Sequence, residues 1–157
     1  MNDIESLIDL RVSLLKEVDG LHSYEEEGSF RRATEQYLQV EIQTGNFIAY
    51  IATVNEKVVS ISGVTFFHRP PYIENLEGKE AYILNMYTLP KYRGHGIAKK
   101  LLEYRLEECK ENGVKRIWLH SSKDGEPLYK KIGFTNKQNE MELFLLEKQS
   151  RFLAPTL

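Results

Sequence analysis

Apolar residues recur at helical spacing at Leu7, Leu10, Leu14 and Leu15, with Asp3 as a candidate N-cap ahead of them. A second amphipathic stretch runs from about Ser29 to Gln43, and the acidic segment Ser23-Tyr24-Glu25-Glu26-Glu27-Gly28 reads as the turn between two helices. From Phe47 the pattern becomes that of strands rich in Val, Ile, Thr and Phe: Phe47–Thr53, a tight turn at Asn55-Glu56, and Lys57–Phe67. This spacing predicts an antiparallel hairpin. Arg69-Pro70-Pro71 stops the second strand, and a third strand is expected at Ala81–Thr88 before a turn at Leu89-Pro90. The strongest helical period lies in Gly94–Asn112, through Ile97, Ala98, Leu101, Leu102, Leu106 and Cys109, with Gly113 as its stop. A short strand at Arg116–His120, a brief helix around Glu126–Lys131 and a last hairpin through Phe134 and Met141–Leu146 complete the reading. Helices, antiparallel strands and then a strand-helix-strand unit define an α/β fold. Its single mixed, mostly antiparallel sheet is flanked by helices.

At 157 residues the chain has the size of one domain. Its 21 Lys and Arg against 23 Asp and Glu give a net charge of −2, which offers no excess positive charge for a polynucleotide. No nucleic-acid partner is expected. The first residues are acidic where a secretory signal would be basic, and the longest apolar run, Phe47–Val54, is too short to span a bilayer. No membrane association is expected, and the location expected is cytoplasmic. The single Cys109 has no disulfide partner or second sulfur for a metal, and it falls on the apolar face of a helix, where a packed thiol is expected. No metal cofactor is expected.

Arg93-Gly94-His95-Gly96-Ile97-Ala98 stands where a strand gives way to the strongest helix. The first N–H groups of a helix have no internal partner and carry its positive dipole end. Gly94 and Gly96 bring no side chain to keep a phosphate from the backbone, and Arg93 adds charge. Taken alone, the two glycines would equally make a tight turn. A P-loop is excluded because it needs Gly-x-x-x-x-Gly-Lys-Ser/Thr, and a Rossmann turn because Lys99 fills its third small-residue position.

The spacing that does fit resembles the GNAT superfamily of N-acetyltransferases, whose pyrophosphate loop reads Gln/Arg-x-x-Gly-x-Gly/Ala. Two further segments carry the resemblance in the same order: Met86-Tyr87-Thr88-Leu89-Pro90 before the loop, and Leu128-Tyr129-Lys130-Lys131-Ile132-Gly133-Phe134 after it. The resemblance covers roughly residues 47–146 and implies a GNAT-like fold with acetyl-CoA as co-substrate. It implies a coenzyme-binding core over 47–147 within a single domain of 1–157, and acceptor-side helices in 1–46. It also implies that Met86, Tyr87 and Thr88 offer backbone groups to the pantetheine arm, that Arg93–Ala98 (Arg93, Gly94, His95, Gly96, Ile97, Ala98) hold the pyrophosphate, and that Tyr129 sits near the sulfur. Two departures stand out. Ser122 occupies the position seven before the tyrosine where the family often has Asn, and residues 1–3 are too few for the family's opening strand. The first strand is therefore expected to be short or missing.

Transfer of an acetyl group needs a neutral amine, a stabilised oxyanion and a proton for the thiolate. With a reference pKa near 10, Tyr129 is protonated at pH 7 and is suited to the acid role. The resemblance places the oxyanion donor at a backbone N–H near Met86 or Tyr87. Glu80, His120 and Glu74 are all candidates for the base, and the residues alone do not choose among them. His22 and His68 have no recognisable partners. Glu25, Glu26 and Glu27 would favour a cationic amine if they face the acceptor. The leading expectation is direct acetyl transfer to a primary amine of a small molecule or peptide, without a covalent enzyme intermediate. The alternative is a non-catalytic acyl-CoA sensor or interaction module. Dimers are common among the proteins it resembles, so a homodimer is one expectation; Phe152, Leu153 and Leu157 are apolar residues that could pack, and a disordered end is an equal alternative.

Overall fold

Asn55 and Glu56 both adopt positive φ, 47° and 63°, which is the twist a two-residue hairpin requires. In the computed structural model, which describes residues 3–145, they join β1 (Phe47–Val54) to β2 (Lys57–His68) in antiparallel register. β3 (Lys79–Thr88) continues the antiparallel order, and β4 (Arg116–Leu119) pairs in parallel with β3. The sheet order is β1-β2-β3-β4. The helices are α1 (Asp3–Glu17), α2 (Tyr24–Thr44), α3 (Ile97–Glu111) and α4 (Glu126–Ile132), and a 3-10 turn at Pro90–Tyr92 precedes α3. The described chain opens on α1, with no strand before it.

Two apolar layers cover the faces of the sheet. Leu7, Ile8 and Leu10 of α1 and Leu38 of α2 pack on Phe47, Ile61 and Tyr87. Leu102 and Cys109 of α3 and Tyr129 of α4 pack on Val64, Ala81 and Ile83 of the opposite face. Ile61, Val64 and Leu102 are fully buried, and each such side chain contributes about 1.5–3 kcal/mol relative to exposure. Cys109 is also fully buried, and burial pushes its thiol up to about 11, so it stays protonated and packed. Arg105 crosses this second layer wholly buried. It donates to the Ser62 carbonyl at 2.8 Å and lies 3.9 Å over the Tyr50 ring, while burial pushes it down to about 10.

Two expectations need correction. α2 begins at Tyr24, so the acidic segment is its first turn and not a connecting loop. Ser23 is the N-cap: its hydroxyl accepts the Glu26 N–H at 3.1 Å, and the Glu26 carboxylate takes the His22 N–H at 2.8 Å. This is a close variant of the capping box, and three acids at the positive end of a helix are favourable. The last hairpin is not formed over its described part. Residues 134–145 have no ladder to the sheet, Met141 and Leu143 to Leu145 are exposed, and Glu140 touches β4 through Arg116 at 3.3 Å. Alternation supplied the pattern of a strand without a partner that would bury it. The expected apolar tail, including Phe152, Leu153 and Leu157, lies outside the described residues.

Candidate active site

The site begins with a defect in the β3 ladder. Gly63 pairs with Leu84 and Ile61 with Tyr87, so β3 has two residues, Asn85 and Met86, where β2 has one. Asn85 takes the left-handed conformation, φ 57°. The bulge changes the alternation of side chains. Ile83 and Met86 both face the α3 layer, and Leu84 and Tyr87 both face the α1 layer. Pairing of β3 with β4 stops at Ile83–Leu119. Leu84 to Thr88 therefore continue beside β4 without a strand on that side, and the sheet opens into a cleft.

At the end of this free edge stands the glycine loop. Gly94 and Gly96 have φ of 78° and 76°, and a Cβ placed on either would meet no atom within 4 Å. That empty space is where an anion can come close to the backbone. No described residue accepts the N–H of Gly94, His95 or Gly96, and those of Ile97 and Ala98 belong to the first turn of α3, which has no internal partners for them. The residues present fit a pyrophosphate. His95 is exposed, with Nδ1 at 3.3 Å from the Tyr92 carbonyl.

Arg93 is committed to protein. Its Nε donates to the Thr88 carbonyl at 2.8 Å, its NH2 to Glu17 at 2.8 Å, and its guanidinium lies 5.4 Å from the Tyr87 ring centre. The Tyr87 hydroxyl also donates to Glu17, at 2.9 Å. The hydrogen bond to Glu17 holds Arg93 firmly in its charged form, and that from Arg93 holds Glu17 below the usual carboxylate range. Thus Arg93 ties the loop to the end of α1, and the positive character left facing the loop is that of the backbone. Behind the strand, Ser60 Oγ donates to the Tyr87 carbonyl at 3.0 Å and lies 2.7 Å from Thr88 Oγ1.

Tyr129 is buried on α4, beside Phe134, with 5.9 Å between ring centres. Its hydroxyl bonds no described residue, and burial raises its pKa. It lines a groove of about 790 Å³ along β4 with His120, Ser121 and Glu126. Ser122 accepts the Gly125 N–H at 3.1 Å, so its hydroxyl helps shape the entry to α4.

The three candidates for the base fall in different places. Glu80 pairs with Arg116 at the closed start of β3 and β4, seven residues and roughly 20 Å from Tyr87 along the strand. It is 0 % exposed and accepts from Arg69 at 3.3 Å, Tyr72 at 2.7 Å and Arg116 at 3.1 Å. Burial alone would raise its pKa, but the Tyr72 hydrogen bond and the charges of Arg116 and Arg69 outweigh it and hold the carboxyl below its ordinary value. Glu74 is exposed in the loop near that same end. His120 follows β4 at the open end, with Nδ1 2.6 Å from the Tyr82 hydroxyl. Glu17 and the bulge at Asn85 were not singled out in the sequence, and no local signal marks them.

Taken together, a sheet that splits beside a glycine loop at a helix start offers an anionic ligand free backbone groups in a cleft. The chain belongs to the acetyltransferase (GNAT) family, whose model matches residues 6–134. A crystal structure of a predicted acetyltransferase with acetyl-CoA from Clostridium acetobutylicum is 32 % identical and superposes with a TM-score of 0.85, over 96 % of this chain and 95 % of that one. The chain is 39 % identical over 66 residues to a ribosomal protein bS18 alanine N-acetyltransferase of Haemophilus influenzae, and 28 % over 67 residues to a glucosamine 6-phosphate N-acetyltransferase of Arabidopsis thaliana. These matches take in 41 % and 43 % of this chain and span less than half of those relatives, 42 % and 45 % of their length. Among the described residues no helix is long and apolar enough to cross a membrane.

Proposed function

We propose that the protein is an acetyl-CoA-dependent N-acetyltransferase that acts on a primary amine by direct attack in a ternary complex. The observation that carries this reading is the open backbone cradle at Gly94 and Gly96, adjoining the unpaired edge of β3. When bound, acetyl-CoA supplies the thioester whose acetyl group is transferred. Arg93–Ala98 hold its pyrophosphate through backbone N–H groups and the dipole of α3. Met86, Tyr87 and Thr88 face the pantetheine along the free edge, as an added strand would be faced. A backbone N–H near Met86 or Tyr87 donates to the developing oxyanion.

Tyr129 acts as the acid. Its raised pKa keeps the proton on the phenol throughout the neutral range, ready for the departing sulfur. For the base, His120 is better placed than Glu80, which is engaged on both carboxylate oxygens at the closed end. The base role requires the His120 tautomer whose Nδ1–H donates to Tyr82, leaving Nε2 to accept a proton. Ser122 stands in for the family's Asn and contributes through the turn it shapes.

Calorimetric titration with acetyl-CoA and with desulfo-CoA, followed by a thiol-release assay against a panel of amines, tests the reading. Binding with amine-dependent release supports it. Binding without release on any amine favours a non-catalytic sensor, and absence of binding overturns the loop assignment.

A further inference from the structure

Three buried polar atoms among the described residues lack a hydrogen-bond partner: Arg11 Nε, Arg105 NH1 and Trp118 Nε1. All three are donors, and Trp118 stands beside Tyr82 on the α1 side of the sheet. Tyr82 and Trp118 are cross-strand neighbours with ring centres 4.6 Å apart. The charge of Arg11 acts on Tyr82 from α1. Its guanidinium lies 5.2 Å from the Phe30 ring centre and has one hydrogen-bond partner, Asn85 Oδ1 at 2.9 Å. Asn85 is the left-handed bulge residue that opens the cleft. No described carboxylate pairs with Arg11, whereas Arg31 of α2 has Asp9 at 2.7 Å. Burial lowers the pKa of Arg11, as expected of a cation left without its counter-ion.

Of the acids that would instead attract a cationic acceptor, Glu25 is exposed on the first turn of α2 and the other two are engaged. Glu27 is paired with Lys16 at 2.7 Å and Arg31 at 3.0 Å, and Glu26 caps α2. The coenzyme's sulfur partner, Tyr129, belongs to the opposite layer. On the α1 face of the sheet the aromatic cluster of Tyr82, Trp118 and His120 thus stands with the cation of Arg11, and no carboxylate pairs with that cation among the described residues. Resting on the transferase reading above, we propose that the acceptor amine carries an anionic group, a carboxylate or a phosphate, and that Arg11, braced by Asn85, binds it. The anion completes the hydrogen bonding of a partly buried guanidinium that otherwise has no charge partner. Asn85 then has a double part: its backbone opens the sheet, and its side chain sets the arginine.

The test uses pairs of acceptors that differ only in charge: amino acids and their amides, short peptides with free and amidated C-termini, and glucosamine 6-phosphate with glucosamine. Thiol release is measured as kcat/KM for each member, with calorimetry of acetyl-CoA binding alongside. The expected result is a preference of about 10- to 100-fold for the anionic member of at least one pair, since unpaired buried donors discriminate strongly. The carboxylate and phosphate pairs distinguish the two sources of the anion. Arg11→Gln should collapse that preference to near unity, and Arg11→Lys, which keeps the charge and loses the planar fork, should retain part of it. Acetyl-CoA affinity reports that each variant is folded. Equal turnover of both members, turnover of neither, or a preference that survives Arg11→Gln overturns the proposal. Loss of acetyl-CoA binding by the unaltered protein would instead sink the transferase reading beneath it.

Discussion

The two ends of β3 differ in almost everything that a strand can vary. At Glu80 the strand is paired on both sides, its side chain is wholly buried, and two arginines and a tyrosine meet both carboxylate oxygens. Seven residues later it is paired on one side, bulged at a left-handed Asn85, and leads into a loop whose glycines stand beside empty space. One end is closed by charge and the other is opened by backbone. The closed end ties β4 to β3 through Arg116, and the pairing of the two strands ends at Ile83–Leu119. The difference teaches that an intensely charged cluster need not be the chemistry; the end proposed above to hold the coenzyme is marked by unsatisfied backbone.

The sharpest way to break this comparison is Glu80→Ala. It leaves Arg116 and Arg69 without their shared partner and removes three charge-assisted hydrogen bonds, and a loss of about 3 kcal/mol is expected in urea unfolding. Acetyl-CoA affinity of the folded fraction should be retained; a stable variant with a selectively reduced kcat would return the base role to Glu80. The same group gives a pH signature. Because its folded pKa is lowered, its contribution is present above the ordinary carboxylate value and is lost as pH falls through the depressed one, so Glu80→Gln should flatten the acid limb of stability. At the open end, Tyr129→Phe should reduce kcat by about 100-fold with little change in coenzyme affinity. Unchanged turnover would make Tyr129 a packing residue. A smaller effect is expected from Glu17→Gln, which loosens the tie between α1 and the loop and should weaken acetyl-CoA binding about fivefold by calorimetry. Equal affinity would show that the loop holds its shape without α1.

What could be read in the sequence was what is local. Asn55-Glu56 announced the hairpin, and Gly94 and Gly96 announced a turn into α3, because turn chemistry is written in consecutive residues. Glu17 and Arg11 were missed because their partners, Arg93 and Asn85, are 76 and 74 positions away, and no periodicity encodes such a pairing. The start of α2 was legible and was misread. Ser23 and Glu26 have capping spacing, but three consecutive acids suggested a turn. The bulge at Asn85 has no composition signal, since its cause is the mismatch of β3 against β2 rather than anything in Leu84-Asn85-Met86 itself.

The central claim is that the backbone at Gly94 and Gly96 receives the coenzyme's pyrophosphate, and calorimetric titration of acetyl-CoA into Gly96→Val and Gly96→Ala tests it most directly. Gly96 sits at φ 76° with open space where a Cβ would go, so either side chain strains the turn and enters the anion's place. The expected result is a loss of affinity of at least about tenfold, larger for Val than for Ala, in variants whose melting shows a folded chain. Wild-type affinity in both folded variants would contradict the assignment of the loop.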